Sequence, residues 1–393
     1  MGRSVPIPCG TQEMRACCSA AALLPHVALC YFCAVLLRAY GVHKDGTIYG
    51  TDGKVLHFST QRFVDEVVKA GHCFICGRAQ SAEVPFNDEH IVPKWVLRRF
   101  GLFDKRVELP NGVTVPYRSY TVPCCVECNS ELGEKVETPV SKLLSGTHEE
   151  SMARIDEESM KLVHCWMALL FLKMLLKDMS YRWHLDRREG DMKIGDHHYW
   201  EGFHHIQCLA RTPVIGAELD LDACGTIFFR QALTADGAEG GYDYGDHTMG
   251  RTLFVRVGDT YVFTVLNDAG MTQQIVAEFF DKVGLLAPPQ ARELHTYLAY
   301  MSLRLSERPS FSTRMNPQNG NLQVVSEAPK TYTVTEGNQE LFGHMLHFAL
   351  SGYLDGAESQ VIERVKAGQW SCVFDVNNDF IRFDRAGSEP VQP

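Results

Sequence analysis

The sequence is poor in positive charge, and this absence limits the ways in which the chain can bind its partners. Lysine and arginine total 38 residues against 48 aspartates and glutamates, so the formal net charge is -10 and the pI is near 5.9. A protein coated in positive charge for binding nucleic acid is therefore excluded, and any such contact requires a local basic patch. The 45% hydrophobic and 22% charged residues are typical of a globular protein. A chain of 393 residues is long enough for two or three domains.

Long apolar runs are also scarce, and one of them lies near the N-terminus. It extends from Ala20 to Leu37 and is interrupted by Pro25. A run of about eighteen residues is borderline for spanning a bilayer. A signal peptide, a membrane anchor, a buried helix and an extension upstream of the true start all remain open. We treat residues 1–41 as an apolar N-terminal extension of open role, and we expect a cytoplasmic protein with no firm membrane partner.

The fourteen cysteines do not form the dense pattern of a small secreted domain, so metal binding in a reducing compartment is the better account. Two Cys-x2-Cys pairs stand out, Cys73 with Cys76 and Cys125 with Cys128. Each pair can supply two of the four ligands of a tetrahedral zinc ion. Cys124 has the wrong spacing to Cys128 for this turn and is interpreted as a buried neighbour. We therefore predict that the two pairs hold a structural zinc ion.

Three polar residues accompany the cysteines. Glu89 and His90 lie between the two pairs, and Asn129 follows the last cysteine directly. Carboxylate and amide oxygens are hard ligands that suit magnesium, and a neutral imidazole can take a proton from an attacking water. The alternative is a fold that zinc stabilises but that has no catalytic activity. In that case these three side chains have structural roles.

Taken together, this pattern resembles the HNH (ββα-metal) nuclease superfamily in its zinc-bearing, treble-clef form, with a layout similar to the endonuclease VII type. The stretch from Glu89 to Pro93, followed by Cys-x2-Cys-Asn, also resembles bacterial HNH proteins that use Glu-His in place of Asp-His. The resemblance implies that His90 is the general base and that Glu89 and Asn129 bind a catalytic magnesium or manganese ion. The glutamate in place of aspartate is a departure from the commoner pattern, as is the long stretch that follows His90.

The expected fold class is α+β. Residues 42–145 are predicted to form a small zinc-stapled treble-clef ββα-metal domain, the HNH endonuclease domain. Residues 146–393 are predicted to form a larger α+β domain that selects a target or regulates the activity, by analogy alone. Within the first domain, Asn111-Gly112 predicts a β-hairpin. Further expectations are a helix over 151–178, loops over 237–250 and 306–320, and a hairpin pairing 322–325 with 331–334.

A basic cluster near the site is a candidate nucleic-acid-binding surface. Lys94, Arg98 and Arg99 follow Pro93, and Lys94 and Arg98 are one helical turn apart, so that both can meet a phosphate backbone. A solvated helix face accounts for them equally well. DNA is the expected partner, and RNA binding and homo-oligomer formation are left open.

Two further groups of residues are expected to be structural. Glu131, Glu134 and Glu137 recur at three-residue spacing and are expected to face solvent, with an approach of one of them to the metal left open. Asp196-His197-His198 and His204-His205 contain adjacent histidines that point in different directions and lack a completing carboxylate pair. We expect no metal site at these histidines.

The function expected from these features is that of a metal-dependent HNH endonuclease that hydrolyses phosphodiester bonds in DNA, in phage defence or mobile-element biology. The alternative is a non-catalytic treble-clef zinc module that binds nucleic acid or protein. The two differ at Glu89, His90 and Asn129, because a binding module needs only the cysteines. A membrane-tethered protein is a third reading and depends on the N-terminal apolar run.

Overall fold

A computed structural model describes residues 41–234, 241–316 and 318–383 of the chain. The N-terminal apolar run from Ala20 to Leu37 lies outside the described residues. The described chain contains both helices and strands, which confirms the general α+β class.

The described strands form one four-stranded sheet, one three-stranded sheet and three two-stranded pairs. In chain order they are β1 Ile48–Tyr49, β2 Val55–His57, β3 Phe86–His90, β4 Arg106–Glu108, β5 Thr114–Pro116, β6 Thr121–Cys125, β7 Glu218–Leu219, β8 Thr226–Gln231, β9 Tyr242–His247, β10 Thr252–Val257, β11 Thr260–Val265, β12 Ser310–Met315 and β13 Leu322–Glu327.

Two of the described helices contain π-helical segments, and the others are ordinary α-helices. They are α1 (Thr60–Arg62 and π-helical Phe63–Lys69), α2 Lys94–Arg99, α3 (Val126–Leu132, π-helical Gly133–Glu137 and Thr138–Leu143), α4 His148–Met152, α5 Glu157–Asp178, α6 His204–Ile215, α7 Met271–Asp281, α8 Pro288–Arg304, α9 Gln339–Ala349 and α10 Ser359–Lys366. Short 3-10 helices lie at Tyr117–Ser119, Arg187–Glu189, Ile194–His197, Trp200–Phe203, Leu221–Ala223 and Ser351–Tyr353.

The antiparallel pair of β3 and β6 forms the frame of the predicted site. In its register Phe86 lies opposite Cys125, and His90 lies opposite Thr121. Helix α3 begins at Val126, immediately after β6, so the second cysteine pair straddles a strand-to-helix junction. Strands β4 and β5 pair across the Asn-Gly turn, which confirms the predicted hairpin between β3 and β6.

Helix α5 is the central buried helix, but it begins later than predicted. The Asp156 side chain accepts a hydrogen bond of 2.9 Å from the Ser159 backbone N–H, and the Ser159 hydroxyl hydrogen-bonds to the Asp156 backbone. This capping box starts a new helix at Glu157. Of the described helices, α5 is the one that is long and apolar enough to cross a membrane, and 72% of its apolar window is buried within the protein.

The region predicted as a loop over 237–250 contributes a strand to the four-stranded sheet. Strand β9 pairs with β10, and the order of the sheet is β8-β11-β10-β9. Tyr242 and Tyr244 of β9 pack against the largest hydrophobic cluster. Their burial outweighs the glycine and aspartate content of the segment, which had favoured a loop.

The prediction of a polar loop over 306–320 is also partly wrong, because this region contains strand β12. This strand pairs with β13, and β13 in turn pairs in parallel with β7. The expected hairpin partner over 331–334 forms no strand, and Val334 makes only an isolated bridge to Leu305. Strand β12 is mostly exposed, so its sequence lacks the apolar alternation that marks a half-buried strand.

The largest hydrophobic cluster continues across the domain boundary predicted at residue 145. It joins Val122 of β6 and Val140 of α3 to Trp166 of α5 and Val262 of β11. Helices α5 and α6 therefore form part of the surroundings of the predicted site, although both lie in the second predicted domain.

Candidate functional site

Four buried cysteines converge where the β1–β2 hairpin, the β3–β6 pair and α3 meet. They are the four chosen from the sequence, Cys73, Cys76, Cys125 and Cys128, and their sulfur atoms all lie within 4.8 Å of one another. The Cys76 and Cys125 sulfurs are 3.7 Å apart. A tetrahedral zinc ion with Zn–S bonds of about 2.3 Å has sulfur pairs separated by about 3.8 Å. The group could therefore bind a metal ion such as zinc.

Gly77 allows the first cysteine pair to form its tight turn. It has φ of +75°, and its backbone N–H donates to the Cys73 carbonyl at 2.8 Å. A Cβ atom at this position would lie 2.8 Å from Val55 and 2.9 Å from Phe58. A glycine is required here by both the conformation and the space.

Cys124 lies outside the four-sulfur group, as predicted, but it is close to it. Its sulfur is 3.8 Å from that of Cys73, and its side chain is fully buried. Cys124 is therefore a buried neighbour that contacts the four-sulfur group through Cys73.

Two arginines that the sequence reasoning missed provide positive charge beside the thiols. Arg78 Nε donates to the Cys76 sulfur at 3.3 Å, and its Nη2 lies 3.9 Å from the Cys125 sulfur. Arg211 of α6 is fully buried and donates to the Ile75 carbonyl at 2.6 Å. Positive charge favours thiolates over thiols, and a thiolate is the form that binds metal. The position of Arg78 next to the first pair was a usable signal, whereas nothing in the sequence links Arg211 to it.

His90 is at the C-terminal end of β3 and is half-buried. Its Nδ1 atom is enclosed and has no hydrogen-bond partner, and its ring meets Phe103 edge-on at a centroid distance of 6.4 Å. Burial lowers the pKa of His90, and the positive charge of Lys94 lowers it further. The ring is therefore held in its neutral form, which is the form that can accept a proton.

Glu89 is buried and already has a positively charged partner. Its Oε1 accepts a hydrogen bond of 2.7 Å from the ammonium of Lys173, which also donates to the His90 carbonyl at 2.7 Å. Glu89 is 6% exposed and Lys173 is fully buried. In the sequence, Lys173 interrupts an otherwise apolar stretch of this helix. A lysine inside an apolar helix requires a counter-charge, and this requirement was the available signal.

Glu137 of α3 also faces Lys173, and not solvent as expected. Its Oε1 is 3.6 Å from the ammonium and has no hydrogen-bond partner. Burial raises the pKa of Glu137 to about 7, against the opposing effect of Lys173. Burial therefore favours the protonated form of Glu137, while Glu89 is the carboxylate that hydrogen-bonds to Lys173.

The Asn129 side chain contacts an exposed residue of β3, Asn87. Its side-chain Nδ2 donates to the Asn87 Oδ1 at 2.7 Å. The predicted catalytic ion would need Asn129 and Glu89 together. Lys173 already neutralises Glu89, so a divalent ion there would put positive charge beside a buried ammonium. In this arrangement Glu89 does not fit the ligand role that the resemblance implies.

The basic cluster is divided between solvent and the protein interior. Lys94 and Arg98 lie on the exposed face of α2, as their spacing predicts. Arg99 is half-buried, donates to the Leu144 carbonyl at 3.2 Å and lies over the Phe100 ring. Lys94 and Arg98 are therefore the residues of this cluster that can meet a phosphate backbone.

Comparison of the chain with protein-family models, curated proteins and solved structures finds no match to any of them.

Proposed function

We propose that this chain is an endonuclease that hydrolyses phosphodiester bonds in DNA, with His90 as its general base. The observation that supports the proposal is the arrangement of β3, β6 and α3. The strand pair carries His90 at one end and Cys125 at the other, and the helix that follows completes the four-cysteine group. A strand pair and helix stapled by cysteines is the layout of the ββα nucleases that the sequence resembles.

His90 has the properties that a general base needs. Its ring is kept neutral, and it lies near exposed positive charge on α2. In the proposed reaction Lys94 and Arg98 hold the DNA backbone by its phosphates. His90 then takes a proton from a water molecule while the water oxygen bonds to phosphorus. The bond from phosphorus to the 3′ oxygen breaks, and the 3′ oxygen takes a proton from solvent.

The magnesium or manganese ion implied by the resemblance would stabilise the negative charge that develops on the phosphate. Asn129 offers an amide oxygen for such an ion, but Glu89 in its pair with Lys173 does not offer a free carboxylate. No step of the proposed reaction is therefore assigned to the ion. The proposal includes a structural zinc ion on the four cysteines.

The second candidate is a zinc module that binds nucleic acid or protein without cleaving. The observation that favours it is the same Lys173–Glu89 pair, because a buried ion pair of this kind gives Glu89 a structural role. In such a module Lys94 and Arg98 would still bind phosphates, and His90 would be dispensable.

The rest of the chain would determine where and when this reaction takes place. Residues 146–393 would select the target or control the activity, in phage defence or mobile-element biology. The protein would act in the cytoplasm, with DNA as the main partner and with RNA and a second copy of the chain as further candidates.

Incubation of supercoiled plasmid with purified full-length protein tests the proposal. Magnesium, manganese and EDTA should be compared, with single-stranded RNA as a second substrate. Conversion of the plasmid to nicked or linear DNA supports the endonuclease. DNA binding without cleavage under every condition supports the zinc module instead.

A further inference from the structure

We propose that His57, His204 and Cys208 form a second metal site, separate from the four-cysteine group, for a transition-metal ion of the zinc or copper class. One ring nitrogen of each histidine and the Cys208 sulfur all lie within 4.8 Å of one another. His57 Nδ1 is 4.0 Å from that sulfur. Metal binding at these three residues does not require nuclease activity.

The three residues are brought together by α6 and β2. His204 and Cys208 are four residues apart in α6, so they lie on the same face of the helix. His57 ends β2, and its ring meets that of His204 edge-on at a centroid distance of 5.4 Å. Arg211, one turn further along α6, donates to the Val55 carbonyl of β2 and fixes the helix against the strand.

The other ring nitrogen of His204 is held as it is in known metal sites. His204 Nε2 donates to the Phe58 carbonyl at 2.7 Å, which leaves Nδ1 with the free lone pair. Histidine ligands commonly donate their second nitrogen to a backbone carbonyl, and this fixes the tautomer and the ring orientation. His204 is thus paired with His57 from a distant strand, and not with its sequence neighbour His205.

The distances suit a metal ion after a small adjustment. With bonds of about 2.3 Å to sulfur and about 2.0 Å to nitrogen, a tetrahedral zinc ion has sulfur and nitrogen about 3.5 Å apart. The His57–Cys208 separation of 4.0 Å is close to that value. Three protein ligands leave the fourth position for water or a small ligand, and His57 and His204 are only half-buried.

Arg211 lies between the two groups of possible metal ligands and interacts with both. Arg211 is fully buried and interacts electrostatically with Cys208 as well as with Cys73 and Cys76. A zinc ion with four thiolates has two excess negative charges. An ion with one thiolate has one excess positive charge, and Arg211 supplies another.

The test is the zinc content of the full-length protein after saturation with zinc and removal of unbound metal. Wild type should hold about two zinc ions per chain and Cys208→Ser about one, if each site binds one ion. Cys165→Ser is the matched control, because Cys165 is equally buried but belongs to neither group. It should hold as much zinc as wild type.

Equal zinc content in wild type, Cys208→Ser and Cys165→Ser would overturn the proposal. If Cys208→Ser fails to fold, His57→Gln provides the same comparison, since His57 lies at the partly exposed end of β2. A parallel loading with copper identifies the ion. Uptake of either metal that depends on Cys208 or His57 supports the site, and uptake of neither in that manner contradicts it.

Discussion

The ammonium of Lys173 lies 2.7 Å from a carboxylate oxygen of Glu89, and both side chains are buried. The pair joins helix α5 to strand β3 across 84 positions of sequence. It therefore attaches the second predicted domain to the centre of the proposed site. Glu89 has a structural partner, whatever further role it has.

Removing one member of this pair should destabilise the folded protein. Lys173→Met leaves the Glu89 carboxylate buried without its partner, and loss of one side of a buried pair costs about 3–5 kcal/mol. The free energy of unfolding, measured with urea, should fall by this amount. Lys177→Met is the matched control, because Lys177 lies one turn further along α5 and is only partly buried.

The double variant Lys173→Met with Glu89→Gln should recover part of that loss, because neither buried charge then remains unpaired. Equal stability losses for Lys173→Met and Lys177→Met would show that the pair is not needed for the fold.

If Cys125 and not Cys124 binds the zinc ion, substitutions at these two adjacent residues should affect zinc content differently. Cys125→Ser should lose the zinc ion of the four-cysteine site and much of the domain's stability, because a structural zinc site contributes folding energy directly. Cys124→Ser should keep the zinc and lose about 1–3 kcal/mol, the cost of burying a hydroxyl. Zinc content and thermal unfolding are the measurements. Zinc loss in Cys124→Ser with full retention in Cys125→Ser would reverse the assignment.

The exposed face of α2 predicts a salt-dependent effect on DNA binding. Lys94→Gln and Arg98→Gln should each weaken binding for all sequences alike and lower the slope of log affinity against log salt by about 1. Fluorescence anisotropy at several salt concentrations measures both quantities. Lys69→Gln, in an exposed pair with Asp65, should behave as wild type. If the slope of log affinity against log salt is unchanged in both variants, DNA does not bind at this face of α2.

A buried histidine predicts loss of stability in mild acid. Burial lowers the pKa of His164 to about 4, below its usual value of about 6.5. Between these pH values the unfolded chain binds a proton that the folded chain does not. Stability is therefore fully present above pH of about 6.5 and falls by about 3 kcal/mol as pH drops to about 4.

In His164→Gln this part of the pH dependence should disappear, even though the variant is less stable at neutral pH. Urea unfolding at several pH values compares it with wild type and with His344→Gln, which changes an exposed histidine. The same loss of stability in all three proteins between neutral and acid pH would contradict the assignment.

Features with a local sequence signature could be predicted from the sequence, while contacts between residues that carry no such signature could not. The spacing of the cysteine pairs identified the four that converge, and Asn-Gly identified the β4–β5 hairpin. Lys173 was visible in the sequence, but its partner Glu89 lies far away on another element. The same holds for His57 and His204, which only the folded chain brings together. Strand β9 was missed because its pairing and tyrosine burial outweigh its local composition.

The most direct test of the proposed function is cleavage of supercoiled plasmid by wild type, His90→Ala and His344→Ala, each with confirmed zinc content. The account predicts cleavage by wild type and His344→Ala, and a loss of at least about 100-fold in His90→Ala, the usual contribution of a general base. Equal cleavage by all three would remove His90 from the reaction. No cleavage by any of them, with equal DNA affinity, would favour the zinc module over the nuclease.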